Sequence, residues 1–299
     1  MTRIVLLLLT ACATPVLAQS LDPRSYVNTP VGMQFALGGY AYSTGNVLFD
    51  PSLPIENAEL TLQGPVAGYA RALDLWGLSG KADLVAGYFC ADGNAEVDGE
   101  YRERHVCGLS DPAARISVNF IGAPALRLPA YAAYRQDLLV GASLRVAAPL
   151  GQYDPDRLVN LGTNRWSFKP EVGVSQAIDR TTLEFIGSVT FYTTNSDFYV
   201  GRVQTQAPLY AGQVNLVYSL KSGVWAALGG TLYGGGRVTI DGVETGAWQR
   251  DSRLGLTVAI PISRHNSLKV YTSTGVSTRT GTDFDTAGLA WQFRWGGGP

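Results

Sequence analysis

From Arg165 to Ser175 the chain alternates position by position. Arg165, Ser167, Lys169, Glu171, Gly173 and Ser175 share one parity; Trp166, Phe168, Pro170, Val172 and Val174 share the other. A period of two puts these sets on opposite faces of an extended strand. The run is longer than the ~5–6 residues of an ordinary sheet strand and matches the ~9–11 that a tilted strand needs to cross a bilayer. The pattern returns from 138 to 148, 183 to 191, 254 to 260 and 289 to 295. It predicts strands over 33–43, 61–74, 79–91, 109–122, 138–150, 164–178, 181–193, 208–220, 222–236, 248–261, 266–278 and 284–295. Gly and Ala dilute the alternation most in the second and third.

The links between these strands alternate in length. Long ones at 44–60, 92–108, 151–163, 194–207 and 237–247 are interleaved with short ones at 75–78, 179–180, 221 and 263–265. The 123–137 link is the exception, long on the short-turn side. Long loops on one rim and short turns on the other mark an outer-membrane barrel. Such a sheet must close, because an open edge would leave unpaired amides in hydrocarbon. The expected fold class is all-β: a single transmembrane antiparallel β-barrel of about 12 strands over 33–295, with a tail at 296–299. Trp166, Tyr192, Tyr210, Trp248, Trp291 and Trp295 fall near strand ends, where aromatic girdles sit. The competing all-β reading, a periplasmic sandwich, fits the strand lengths less well.

Ahead of the barrel, Arg3 precedes an apolar stretch running to Leu17, and Val16-Leu17-Ala18 stands before Gln19 as at a signal-peptidase site. Residues 1–18 read as a signal peptide and 19–32 as a periplasmic N-terminal segment. Leu9-Thr10-Ala11-Cys12 fits a lipoprotein box as the alternative. Export implies an oxidising compartment. No later stretch offers the ~18–20 apolar residues of a spanning helix.

Composition narrows the chemistry. Charged residues make up 16%, against about 25% in soluble domains. The net charge of −1 becomes −2 once Arg3 is removed, with no basic excess for nucleic acid. Two His and three Cys leave little for a metal cluster, and no metal or cofactor is expected. Gly234 to Gly236 lacks the Lys-Ser or Lys-Thr of a phosphate loop. A lipid-cleaving barrel needs a Ser activated by a His. Only His105, in a long link, and His265, in a short turn, are available. No enzyme is expected. Cys90 and Cys107 flank the 92–106 link from adjacent strand ends, where a disulfide can staple a hairpin.

Read consistently, the alternation turns Arg71, Lys81, Arg115, Arg145, Arg165, Lys169, Arg253, Lys269 and Arg294 inward, together with Asp83, Glu171 and Glu184. A charge facing lipid at the midplane costs ~2–4 kcal/mol. Nine cations against three acids leave the lumen at +6. Two outcomes follow. The basic wall forms a constriction that favours anions, or the charges pair, as Lys169 with Glu171 and Arg145 with Glu184, into a network that fills the lumen.

Ala148-Pro149-Leu150-Gly151-Gln152-Tyr153-Asp154, with Asn160-Leu161-Gly162-Thr163-Asn164-Arg165-Trp166-Ser167-Phe168-Lys169-Pro170-Glu171, is a distinctive run. It resembles the outer-membrane transporter-like family named for the meta-pathway of phenol degradation. Gly68-Tyr69-Ala70-Arg71, Ser110-Asp111-Pro112, Gly234 to Gly236 and Asp241-Gly242 are similar to its other blocks. The resemblance spans most of 26–295 and implies an outer-membrane barrel passing small organic compounds, aromatic ones among them. Thr286 to Phe293 is similar to the terminal signal that engages barrel-insertion machinery, although six residues follow it. The expected function is passive uptake of small organic solutes, aromatic or anionic, across the bacterial outer membrane. The expected partners are outer-membrane lipids, the insertion machinery through the C-terminal strand, and those solutes. A structural or interaction barrel and a lipid-modifying enzyme are the alternatives.

Overall fold

The period-two stretches fold as strands that pair with their sequence neighbours and close on themselves. The computed structural model describes residues 22–48, 55–97, 99–245, 248–278 and 281–297. In chain order the elements are β1 (Met33–Leu48), β2 (Ile55–Leu75), β3 (Leu78–Val97), β4 (Glu100–Leu109), β5 (Ala113–Ile121), the helical turn α1 (Leu128–Tyr131), β6 (Leu138–Ala147), β7 (Ser167–Ile178), β8 (Thr181–Tyr192), β9 (Asn195–Phe198), β10 (Arg202–Gln206), β11 (Leu209–Ser219), β12 (Trp225–Gly235), β13 (Val238–Ile240), β14 (Val243–Thr245), β15 (Gln249–Pro261), β16 (Asn266–Thr278) and β17 (Gly281–Gly296).

Twelve antiparallel wall strands form the barrel. β17 closes on β1 from Met33↔Gly296 to Leu48↔Gly281. β4 and β5 are two parts of one wall strand. β3 pairs with β4 down to Tyr88↔Leu109 and with β5 from Val85↔Ala113 onward. The break at 110–112 releases Asp111 from the ladder. The two-residue turn between β2 and β3 uses Trp76 (φ 57°) and Gly77 (φ 84°), the positive dihedrals that a tight hairpin demands.

The faces are inverted relative to a soluble sheet. Leu144, Val172, Phe185, Val214, Leu228, Leu254 and Leu289 stand exposed on the outside, while Ser143, Ser175, Glu184, Asn215, Thr231, Arg253 and Thr257 are buried within. This surface suits hydrocarbon, with the polar groups screened from lipid. Aromatic rings cluster at the edges of the outer belt. Phe293 and Trp295 stack at 5.5 Å near the short-turn rim, and Trp166 and Phe168 at 6.5 Å near the other.

The long-loop side departs from the expected coil. The 92–106 link is a hairpin, with β3 continuing to Val97 and β4 returning from Glu100. The 194–207 and 237–247 links supply a separate four-stranded sheet of order β14-β13-β10-β9. Beyond the bilayer both strand faces meet water, so hydropathy no longer alternates there. The run Glu100-Tyr101-Arg102-Glu103-Arg104-His105 is polar on both parities. The proposed signal peptide and Cys12 lie outside the described residues.

Candidate functional site: the barrel lumen

Strand register organises the inner wall into rows. Asp83, Arg115, Arg145 and Lys169 face one another across β3, β5, β6 and β7. The adjacent row holds Lys81, Ser117, Ser143, Glu171 and Ser188. Arg115 Nε donates to Asp83 Oδ2 at 3.0 Å, and Lys169 Nζ meets Glu171 Oε2 at 2.7 Å. Arg115, Arg145 and Lys169 nevertheless stand side by side, and like charges directly opposite one another destabilise a sheet. Such a row needs anions in front of it.

An anion is supplied by the chain itself. Residues 22–32, expected in the periplasm, lie inside the barrel and touch β2, β3, β5, β6, β7, β8, β12 and β16. Asp22 meets Arg115 Nη2 at 3.4 Å and Lys269 Nζ at 3.7 Å. β5 and β16 lie five strands apart one way round and seven the other, so this carboxylate bridges nearly opposite walls. Burial pushes the Asp22 carboxyl up, but Lys269, Arg115, Lys81 and Arg145 outweigh it and hold the group well below the usual carboxylate range. Lys81 Nζ donates to the Ser25 carbonyl at 3.3 Å. Arg24 N donates to Glu184 Oε2 at 2.9 Å, and its guanidinium lies 5.3 Å over the Trp225 ring.

Tyr26 is the anchor of this segment, 3% exposed. Its ring fills a notch where Gly141 and Gly173 adjoin on the inner face. A Cβ at Gly173 would lie 2.2 Å from the ring, and one at Gly141 would lie 2.6 Å away. The Tyr26 hydroxyl shares a 3.2 Å hydrogen bond with Ser143 Oγ, which donates to Glu171 Oε1. The unusual 123–137 link then closes over the base of the segment. Val31 N donates to the Leu126 carbonyl, Asn28 Nδ2 to the Pro124 carbonyl and the Tyr131 hydroxyl to the Asn28 carbonyl.

The opposite mouth is narrowed by the link between β6 and β7. Leu161 packs with Leu60, Phe89, Ala91, Val106 and Phe284, and Val159 lies against the same cluster. Buried Asp111 holds the link in place, accepting from Gly151 N at 2.9 Å and from Thr163 N and Oγ1 at 2.8 and 2.6 Å. Gly151 and Gly162 pack backbone to backbone, with no room for a Cβ. Arg165 belongs to this link rather than to a strand. It is buried, donates to Gln206 Oε1 at 2.5 Å and lies 4.4 Å over the Tyr192 ring.

The remaining sequence candidates sort as follows. Asp83, Arg115, Arg145, Lys169, Glu171 and Lys269 come together around the segment. Glu184 faces inward, but its partners are Arg24 N and Asn215 Nδ2 rather than Arg145, because β7 separates β6 from β8. Arg253 is buried in the wall and donates to the Phe284 carbonyl. Arg294 has inward register but lies exposed at the short-turn rim, its Nε donating to the Arg264 carbonyl at 2.7 Å. Arg71 faces outward, on the parity of exposed Tyr69 and opposite Ala82. Asp22, Arg24 and Tyr26 were invisible to an alternation argument, since they lie in no strand. The one available hint was the inward pair Gly141 and Gly173, a gap on adjacent strands with nothing in sequence to fill it.

Cys90 and Cys107 are disulfide-bonded, across register-paired positions of β3 and β4. Beside them His105 Nδ1 bonds Asp92 Oδ1. His265 Nδ1 bonds the Arg294 carbonyl at the other rim. Among the described residues no three His, Cys, Asp or Glu side chains gather as metal ligands.

Known proteins place this architecture. An outer membrane channel from Pseudomonas putida F1 superposes with a TM-score of 0.79 at 18% identity, covering 92% of this chain and 100% of that one. The transport unit of the autotransporter AIDA-I from Escherichia coli gives 0.56 at 9% identity, over 92% and 93% of the two chains. The beta domain of the Bordetella autotransporter BrkA gives 0.54 at 12%, over 89% and 100%. These likenesses establish the barrel fold. No curated protein matches the chain. Residues 76–293, most of the barrel, match one sequence family along their length, and the chain belongs to that family, described as Putative MetA-pathway of phenol degradation.

Proposed function

We propose that the protein is an outer-membrane channel for passive passage of small organic solutes. The observation that carries this reading is the polar, charge-lined inner wall of a closed barrel whose outer face suits lipid. The gradient supplies the driving force, and the wall supplies selectivity. The solved channel from Pseudomonas putida F1 shares the fold over its whole length, and the family's description points toward aromatic compounds. Long loops face the exterior and short turns the periplasm, so segment 22–32 enters from the periplasmic end. The outward Leu289, Trp291, Phe293 and Trp295 of β17 support this strand as the signal read by the insertion machinery.

Occupancy at both ends favours a second reading, a barrel whose loops bind a partner and which passes nothing. Conductance in planar bilayers, with liposome swelling in neutral, anionic and aromatic solutes, separates the two. The mature protein should conduct weakly, and a variant lacking residues 22–31 should conduct more. Absence of conductance and swelling in both would overturn the channel. The lipid-enzyme alternative predicts phospholipid hydrolysis by the purified barrel; the channel reading expects none.

A further inference from the structure

The cations around Asp22 outnumber the anions that serve them. Arg115 and Lys269 meet this carboxylate directly, Arg145 stands opposite Arg115 in register, Lys81 binds the nearby Ser25 carbonyl, and the wall itself contributes Asp83 beside them. Glu171 is engaged by Lys169 and Ser143. With Lys169 included, five cations thus share three carboxylates, Asp22, Asp83 and Glu171, the first of which belongs to a segment outside the barrel wall. Arg115 and Arg145 lie directly opposite in register, a like-charge pairing that is destabilising unless carboxylates stand near it. Asp22 reaches Arg115 and Lys269 from nearly opposite walls, so this position spans the bore, where any permeating solute must pass.

We propose that Lys81, Arg115, Arg145 and Lys269 form a carboxylate-binding site of the channel, that Asp22 is its built-in occupant, and that organic carboxylates are the solutes that displace it. The proposal rests on the channel reading and names its substrate class. Asp22 stands in for the solute's carboxylate: it offers two oxygens to a guanidinium and an ammonium on facing walls. A neutral solute has nothing to exchange for this interaction, and a cation meets repulsion. Exchange of one carboxylate for another keeps the number of carboxylates before the row unchanged, so the site opens to anions without leaving Arg115 facing Arg145 unscreened.

The test uses the purified full-length mature barrel and three ligands that share one ring: sodium benzoate, benzyl alcohol and benzylammonium chloride. Binding is followed by calorimetry, and selectivity by reversal potential in a sodium benzoate gradient. Asp22→Asn removes the competitor and should tighten benzoate binding about tenfold, the scale of one charge-assisted contact. It should leave the other two ligands unchanged. Asp22→Glu should behave as the parent. Arg115→Gln with Lys269→Gln, added to Asp22→Asn, should abolish the gain. Heat-dependent gel migration confirms that each variant is a folded barrel. Unchanged benzoate binding in Asp22→Asn, or equal gains for all three ligands, would overturn the site. If neutral sugars still swell liposomes in that case, the channel itself stands. If no solute swells them in any variant, the channel reading fails separately.

Discussion

Tyr26 and its glycine notch set the residue-scale balance of the lumen. Seating one aromatic side chain contributes ~2 kcal/mol, or roughly a 30-fold bias toward the docked segment. Tyr26→Ala should forfeit most of that bias, and Gly173→Val should do so by filling the notch, because its new Cβ would sit 2.2 Å from the ring. Both variants should raise planar-bilayer conductance to a similar level, and combining them should add little. An additive double variant would contradict the shared notch. Asp22 sets the pH response. Its carboxyl is held below the ordinary range, so its contribution to docking is complete above the free value near ~3.9 and fades as pH falls below it. The fluorescence of a Tyr26→Trp reporter should therefore stay constant between pH 8 and pH 5 as far as Asp22 governs it, and should report release only under stronger acid. Release centred near pH 6 would show that Asp22 is not the group that holds the segment.

At the scale of elements, the wall strands were legible because lipid outside and polar lumen inside impose one periodicity on each of them. Ser167–Ile178 and Thr181–Tyr192 fall within a few residues of their expected bounds. Elements that leave the membrane lose that constraint. The β3–β4 hairpin and the sheet of β9, β10, β13 and β14 were read as loops, since water on both faces erases the alternation. Arg71 failed for a related reason: Gly and Ala blur the parity of β2, and Tyr69 on its outward face was the better guide. The distinctive run from 148 to 171 was visible as a motif, while its role was not. Asp111 and the pair Gly151 and Gly162 fold it into the mouth through contacts that are distant in sequence. The projecting hairpin supplies its own prediction. A disulfide closing a 17-residue separation lowers the entropy of the open chain by about 3 kcal/mol, less where the ladder already orders it. Reduction should therefore speed proteolysis near Gly99 in intact cells while barrel migration on gels stays unchanged. An epitope at Gly99 should be reachable from outside, and one at Asp179 should not. Reversed accessibility would invert the assigned orientation.

On the scale of the whole molecule, the lumen carries two obstructions in series. The segment from 22 to 32 occupies the charged half near the short turns, and Leu161 with Val159 packs onto an apolar wall toward the long loops. Resistances in series add, so the larger one governs the current. Deleting residues 22–31 alone should expose the basic row yet leave the apolar mouth in place, giving a modest rise in conductance. Loosening the mouth alone, by Leu161→Ser, should change little while the segment stays docked. The two changes together should raise conductance by more than the sum of the separate increments. Selectivity should follow the charged half. With the segment absent, Arg115, Arg145, Lys169 and Lys81 are left with Asp83 and Glu171 beside them on the same wall and Lys269 across the bore, and such an excess of cations favours anions. Reversal potentials in a salt gradient should then report anion preference in the segment-deleted protein, and Arg145→Glu with Lys169→Glu should weaken or reverse it. Cation preference in the deleted protein, or indifference to that double reversal, would place the selective step at the apolar mouth instead of at the row of arginines.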